Sequence, residues 1–351
     1  MNTVAAGPRS AGPRSAGPRS AGSANVPPAL LALDATDEGI IALLRADGRM
    51  PYRAIARELG VTESTVRARV RRLEESDTMR VVAVTDIEAA GYGMLLAIGV
   101  QVETRAPEAV ARDLASLPEV FSVNVVVGAQ DIEVLVVSQD QAALNELVGQ
   151  RLPAVAGVRR LTPALALGVL KNQPDWVPFH ELEPLGASQA PSREAAAVTR
   201  RTLDAVDQRI VALLARDARV SNGLIAAELG VTEGTVRARI KRMEDQRQIR
   251  LTAVTNIDRF GDALLAYIWI EVERSDGTRG VAEALADIPE LGFVAVMLGR
   301  SDILAITMVR NTEHLARFVH TRISAIAGVR RTESTLGVNF VKHDYRMARI
   351  V

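Results

Sequence analysis

LGVTESTVRARVRRLEE (residues 59–75) returns as LGVTEGTVRARIKRMED (229–245), with twelve of seventeen positions unchanged. The other exchanges are conservative except Ser64, which becomes Gly234. In each copy a short segment closes at Leu-Gly-Val, and a Thr suited to cap a helix follows, with a Glu where the positive end of the helix dipole favours it. At ~100° per residue, Val66, Val70 and Leu73 fall on one face, and so do Val236, Ile240 and Met243; these faces should pack inward. Ser64, Thr65, Ala68, Arg71 and Arg72 fall opposite, with Arg67 and Arg69 on the flanks. The second copy presents Gly234, Thr235, Ala238, Lys241 and Arg242, flanked by Arg237 and Arg239. Small side chains let a helix approach base edges, and arginines reach phosphates or guanine. A merely solvated face has no evident packing reason to hold Thr65/Thr235, Ala68/Ala238 and Arg72/Arg242 through a duplication, so both helices are expected to read double-stranded DNA.

The repeat extends well beyond this helix. Residues 33–87 align without a gap to 203–257 at an offset of 170; VVVGAQDIEVLVV from Val125 matches VMLGRSDILAITMV from Val296, and VAGVRRLT (155–162) matches IAGVRRTE (326–333), both at an offset of 171. A period this long is no solenoid; it is a whole module used twice. Within a module, Asp37 to Arg45 reads as a first helix and Tyr52 to Leu59 as a second, opened by Pro51 and stopped by Gly60. The helix capped by Thr62 is the third. MRVVAV then alternates as a strand, and the pattern from Met94 reads βαββαβ. The fold class is therefore α+β: two copies of a (winged) helix-turn-helix domain followed by a ferredoxin-like domain.

The expected organisation is a disordered tail carrying GPRSA three times (1–29), a helix-turn-helix domain (30–85), an α+β domain (86–171) and a linker with four prolines (172–200). The second helix-turn-helix (201–255) and second α+β domain (256–351) follow. Net charge is zero, which excludes a bulk polycation but not a local basic face. The chain has no cysteine, so disulfides, thiolate chemistry and cysteine-ligated zinc are excluded, and a cytoplasmic, nucleoid-associated place is expected. No apolar run approaches the ~20 residues of a membrane span, and the N-terminus has no apolar core of a secretory signal.

These residues resemble the Lrp/AsnC (leucine-responsive/asparagine-synthase regulator) family of transcriptional regulators, in tandem-duplicated form. The likeness rests on the Asp-led first helix (Leu33, Asp34, Asp37), LGVTESTVRARVRRLEE, the connecting strand, and a βαββαβ domain with GAQD and AGVRR. The resemblance implies that the βαββαβ (RAM) domains self-associate, here most simply with each other, and bind a small effector such as an amino acid or related metabolite. It places the effector at the Gly-x-x-Asp turns, Gly128, Gln130 and Asp131 in one module and Gly299, Ser301 and Asp302 in the other. The residue before the Asp is commonly aromatic in relatives and is Gln130 or Ser301 here. Ala129 and Arg300 also differ, so the two turns would not be equivalent.

Two other readings stay open. A relative of this architecture, sirohaem decarboxylase, carries Asn-Tyr with nearby Arg and His in the matching sheet segment; FSVNVVVGAQD and GFVAVMLGRSD contain neither His nor Tyr. His180, His314, His320 and His343 form no metal spacing, and no Ser-His-Asp, P-loop or GxGxxG pattern is present, so no enzyme, cofactor or metal site is expected. A RAM assembly with a vestigial helix-turn-helix would show decayed recognition faces, and these are intact.

Overall fold

The computed structural model describes residues 33–172, 202–255, 264–273, 277–344 and 347–348. The GPRSA tail, nearly all of the linker and His180 lie outside the described residues. In the first module α1 (Ala35–Ala46), α2 (Tyr52–Leu59) and α3 (Glu63–Glu75) form the helix-turn-helix. Asp34 caps α1 in a reciprocal box with Asp37, Thr62 accepts from the Thr65 amide to cap α3, and Gly60 ends α2 at φ 67°, a left-handed conformation that glycine adopts without strain. The second module repeats this as α6 (Ala205–Leu214), α7 (Asn222–Leu229) and α8 (Glu233–Asp245).

The two helix-turn-helix units share one apolar core. Ile40, Leu44, Val66 and Leu73 belong to the same buried cluster as Ile210, Leu214, Val236 and Met243. Strand β1 (Met79–Asp86) pairs antiparallel with β6 (Ile249–Thr255), and Val82 lies opposite Thr252, its own repeat equivalent. A residue that pairs with its own duplicate marks a pseudo-two-fold axis, and the surrounding contacts obey it. Arg49 donates to the Ala218 and Val220 carbonyls and to Asn222, while Arg219 donates to the Gly48 and Met50 carbonyls. The Gly48 amide bonds to the Leu251 carbonyl at 3.0 Å, where a Cβ would lie 2.8 Å from that backbone; the equivalent Ala218 makes the matching bond to Val81 at a looser 3.3 Å. Alternation in MRVVAV predicts a strand; its partner is the other module.

The remaining strands close one barrel in the order β10-β3-β4-β2-β5-β8-β9-β7. The first module supplies β2 (Met94–Val102), β3 (Val120–Val127), β4 (Ile132–Ser138) and β5 (Val158–Asn172). The second supplies β7 (Leu264–Val272), β8 (Leu291–Leu298), β9 (Ile303–Val309) and β10 (Val329–His343). Each four-stranded sheet has the ferredoxin-like βαββαβ order, with α4 (Pro107–Ala115) and α5 (Gln141–Glu146) in the first module, and α9 (Thr278–Ala286) and α10 (Thr312–Phe318) in the second. The 15-residue strands β5 and β10 join the sheets. The first half of β5 pairs with β2 and the second half with β8; β10 pairs with β7 and then β3. Alternation along β2 separates the faces: Leu96, Ile98 and Val100 pack under the helices, whereas Leu95 and Ala97 point into the barrel with Tyr267, Trp269 and Phe293. The two RAM domains thus pair within the chain, and closure leaves no free edge among these strands. A two-residue strand, β11 (Met347–Ala348), adds parallel to β1.

Candidate functional site

The helix α3 buries Val66, Val70 and Leu73, as its periodicity requires, and α8 buries Val236, Ile240 and Met243. Ser64, Arg67, Ala68 and Arg71 are exposed and line a shallow depression with Glu63. Gly234, Arg237, Ala238 and Lys241 are exposed at the same positions of α8. Thr65 and Thr235 are half-buried, each hydroxyl bonded to the capping Thr62 or Thr232. Arg67 and Arg237 make i,i+4 pairs with Glu63 and Glu233, and Lys241 pairs with Asp245. Such exposed pairs are weak and exchangeable for phosphate. Arg71 has no ion-pair partner among the described residues.

Arg69 and Arg72 have partners within the protein. Arg72 is expected on the DNA-reading face, yet its Nη2 lies 2.5 Å from Asp37 Oδ2, and Asp37 is fully buried at the base of α1. Arg69 spans Asp34 at 2.6 Å and Asp37 at 3.0 Å. The second module repeats the clamp, with Arg242 2.5 Å from Asp207 and Arg239 on both Asp204 and Asp207. The α3 arginines flanking the apolar stripe therefore bolt the recognition helix to α1. Their retention through the duplication thus has a packing reason, while Arg72 and Arg242 keep 46% and 43% of their side chains exposed.

The clamp also sets an acid limit. The Arg69 guanidinium, aided by the Asp37 amide, holds the exposed Asp34 carboxyl at about 2, and Arg239 does the same for Asp204. A depressed carboxylate contributes stability that is present above its unfolded value near 3.8 and is lost as pH falls toward about 2. Urea unfolding followed by far-UV circular dichroism should show Asp34→Asn less stable than the wild type at pH 7, with the difference shrinking as pH falls from about 4 to 2.

Each Gly-x-x-Asp turn is tied to a strand of its own module. Asp131 Oδ2 accepts from the Val102 amide at 2.8 Å, and Asp302 Oδ2 accepts from the Val272 amide at 2.8 Å. These carboxylates, expected to face an effector, tie the ends of β2 and β7 to the turns. A Cβ on Gly128 would meet Thr335 at 3.0 Å, and one on Gly299 would meet the Pro163 carbonyl at 2.8 Å, so glycine serves close approach to β10 and β5. Gln130 is buried above Gly99, whereas Ser301 is half-buried.

Sequence reasoning missed a polar group inside the barrel that sits on one side of the pseudo-axis. Arg300 reaches from the second module's turn to Glu133 on β4 of the first, at 2.6 Å; it also binds Glu333 and stacks over Trp269, 4.4 Å from the ring centroid. Asn124 donates to Tyr267 Oη at 2.5 Å and to Ser122 Oγ, and His343 Nδ1 approaches Ser122. Burial raises the Glu133 carboxyl and the Tyr267 hydroxyl, and pushes the His343 imidazole down to about 4. The Tyr and His absent from the FSVNVVV segment thus arrive beside it from β7 and β10. At the repeat-equivalent places of Glu133, Asn124 and Arg300 stand Leu304, Ala295 and Ala129, so the group has no duplicate. The clue in sequence is Glu133 itself, a carboxylate inside the apolar strand IEVLVV.

Paired helix-turn-helix units on a closed α+β barrel define a duplicated DNA-binding class of architecture. Comparison with known proteins agrees. An AsnC-type helix-turn-helix domain matches at 33–74 and 203–244, an Lrp/AsnC ligand binding domain at 96–176, and the PF0864 C-terminal dimeric alpha+beta barrel domain at 262–349. An HTH-type transcriptional regulator of Pyrococcus abyssi is 36% identical over 140 residues, 40% of this chain and 89% of its own length. The HTH-type transcriptional regulator FL11 of Pyrococcus horikoshii is 36% identical over 133 residues, 37% of this chain and 87% of its own. One module of this chain therefore spans nearly a whole relative, and the chain belongs to the Lrp/AsnC family of transcriptional regulators. These two relatives are archaeal, where a bacterial chain is the expectation. A solved structure of siroheme decarboxylase NirDL, bound to an iron-uroporphyrin III analogue, matches with TM-score 0.58 at 15% identity, covering 88% of this chain and 92% of that one. That likeness is one of fold, over both modules. Among the described residues no group of His, Asp or Glu could hold a metal ion, and no helix is long and apolar enough to cross a membrane.

Proposed function

We propose that both recognition helices read one double-stranded DNA operator at two half-sites, with base or phosphate contacts from Ser64, Arg67, Ala68 and Arg71 and from Gly234, Arg237, Ala238 and Lys241. The observation that carries this is the pseudo-two-fold docking of the two helix-turn-helix units into a single core, with the equivalent helix face exposed on each. A homodimer places two helices in successive major grooves ~34 Å apart, and this chain provides the covalent version. Arg69, Arg72, Arg239 and Arg242 act as positioning residues; Thr65 and Thr235 act through the caps they support. The paired RAM domains are proposed to sense a small metabolite near Gly128–Asp131 and Gly299–Asp302 and to alter the setting of the helices, a coupling on the order of 1–3 kcal/mol. Exposed Leu167 with Leu298, and their repeat equivalents Val338 and Val127, offer apolar surface for association between chains. Regulation of this kind needs no catalytic step, and the protein would act where the DNA is, in the cytoplasm.

Fluorescence anisotropy of the purified chain against its own upstream DNA and a scrambled duplex, across a salt series, tests the proposal. Preferential binding whose logarithm falls steeply with log salt is expected. Equal or absent binding to the two DNAs would overturn it.

A further inference from the structure

The two halves of this interface are unlike, and we infer that the chain sits on its operator in one fixed orientation, with the first module on a well-specified half-site and the second on a degenerate one. This rests on the DNA-reading proposal above. Between residues 51 and 75 the first module has six cations against four carboxylates; between 221 and 245 the second has four against four. Both modules spend two arginines on the clamp to α1 or its equivalent α6. What remains differs in place as well as number. Helix α2, which in this motif crosses the DNA backbone, exposes Arg53 and Arg57, and the equivalent positions of α7 are Gly223 and Ala227. Arg57 touches Glu58 only at 3.6 Å, with both side chains largely in solvent. The second module's own extra arginines, Arg209 at the position of Gly39 and the half-buried Arg247 at the position of Asp77, lie off the two helices of the motif.

The reading face differs in the same direction. Arg71 can present a bidentate fork to guanine, and Lys241 is a point charge already paired with Asp245 at 3.2 Å. Ser64 offers a hydroxyl, whereas Gly234 offers no side chain. Phosphate contacts supply affinity without sequence, and side chains at base edges supply sequence; the first module is richer in both. A homodimer cannot differ between its halves, and a duplicated chain can.

Selection of duplexes from a random library with the full chain should return sites with one conserved half and one variable half. The chain has no cysteine, so Ala42→Cys and Ala212→Cys, at equivalent exposed positions of α1 and α6, each carry a single tethered iron chelate for DNA cleavage. On a selected site A42C should cut at the conserved end and A212C at the other. Arg53→Ala/Arg57→Ala should flatten the salt slope by about two units. Gly223→Arg/Ala227→Arg, at exposed positions with ordinary van der Waals room at Gly223, should steepen it and let each label cut both ends. Equal cutting at both ends by the unaltered-interface proteins, with tight binding kept, would overturn the fixed orientation and leave DNA reading standing. Failure to retain any duplex would remove DNA reading itself, and the orientation with it.

Discussion

Replacing Asp37 with alanine should destabilise the first helix-turn-helix by about 2–4 kcal/mol, and Arg72→Ala should do so to a similar degree while leaving the salt slope of DNA binding nearly unchanged. Breaking a buried ion pair from one side typically costs ~3–5 kcal/mol, because a desolvated charge is left without its partner. The range is set lower here because the Arg72 side chain stays 46% exposed and water can solvate it once Asp37 is gone. Removing Arg72 leaves Asp37 with Arg69 alone, at 3.0 Å. Asp37 also accepts the Asp34 amide in the capping box, so its loss frays the start of α1 as well. Arg71→Ala provides the contrast: an exposed cation with no ion-pair partner among the described residues should barely affect melting and should flatten the salt slope by about one unit. Urea unfolding and anisotropy on the same preparations separate the two classes. A normal melting curve with a flattened slope for Arg72→Ala would return that residue to the DNA face.

This clamp shows where sequence reading stops. Periodicity places Val66, Val70 and Leu73 inward because each lies within two turns of the others, and caps and left-handed glycines are equally local. The Asp-led start of α1 is visible too, but its purpose is not. Asp34 and Asp37 meet Arg69 and Arg72 across 32 to 35 residues, and helical-wheel geometry leaves a long arginine free to turn outward or back across its neighbour. The duplication held the signal: both aspartates and both arginines recur together at the same separations. The barrel was legible as two βαββαβ units that should pair, because alternation and repeat length settle that much. Which side chains meet inside it depends on β5 and β10 crossing between sheets, and on the register that places Asn124 beside Tyr267. Those are properties of chain closure, absent from any single segment.

The second large effect is expected at Arg300. Arg300→Ala should cost about 3–5 kcal/mol in urea unfolding, since Glu133 is 1% exposed and would lose the cation that lies 2.6 Å away. Burial already raises the Glu133 carboxyl, and Arg300 opposes that rise; without it the carboxyl rises further. A carboxyl whose folded value exceeds its unfolded one binds more protons in the folded state, so stability falls as pH rises through the elevated value. The deficit of Arg300→Ala should accordingly be wider at pH 8 than at pH 5. The molecule supplies its own control for the alternative chemistry. Leu304 and Ala129 occupy the repeat-equivalent places, so an apolar solution is compatible with this barrel. Glu133→Leu/Arg300→Ala copies it and should recover most of the loss, because replacing a buried pair with apolar groups is often close to neutral. Recovery should fall short by about 1 kcal/mol or more, since removing Arg300 also uncovers the face of Trp269, whose equivalent is Gly99, and leaves a void. Because the pair joins β4 of one module to a turn of the other, the deficit should appear in the main cooperative transition of the barrel. A separate early transition confined to the second module would show that the two sheets unfold independently and that Arg300 does not couple them.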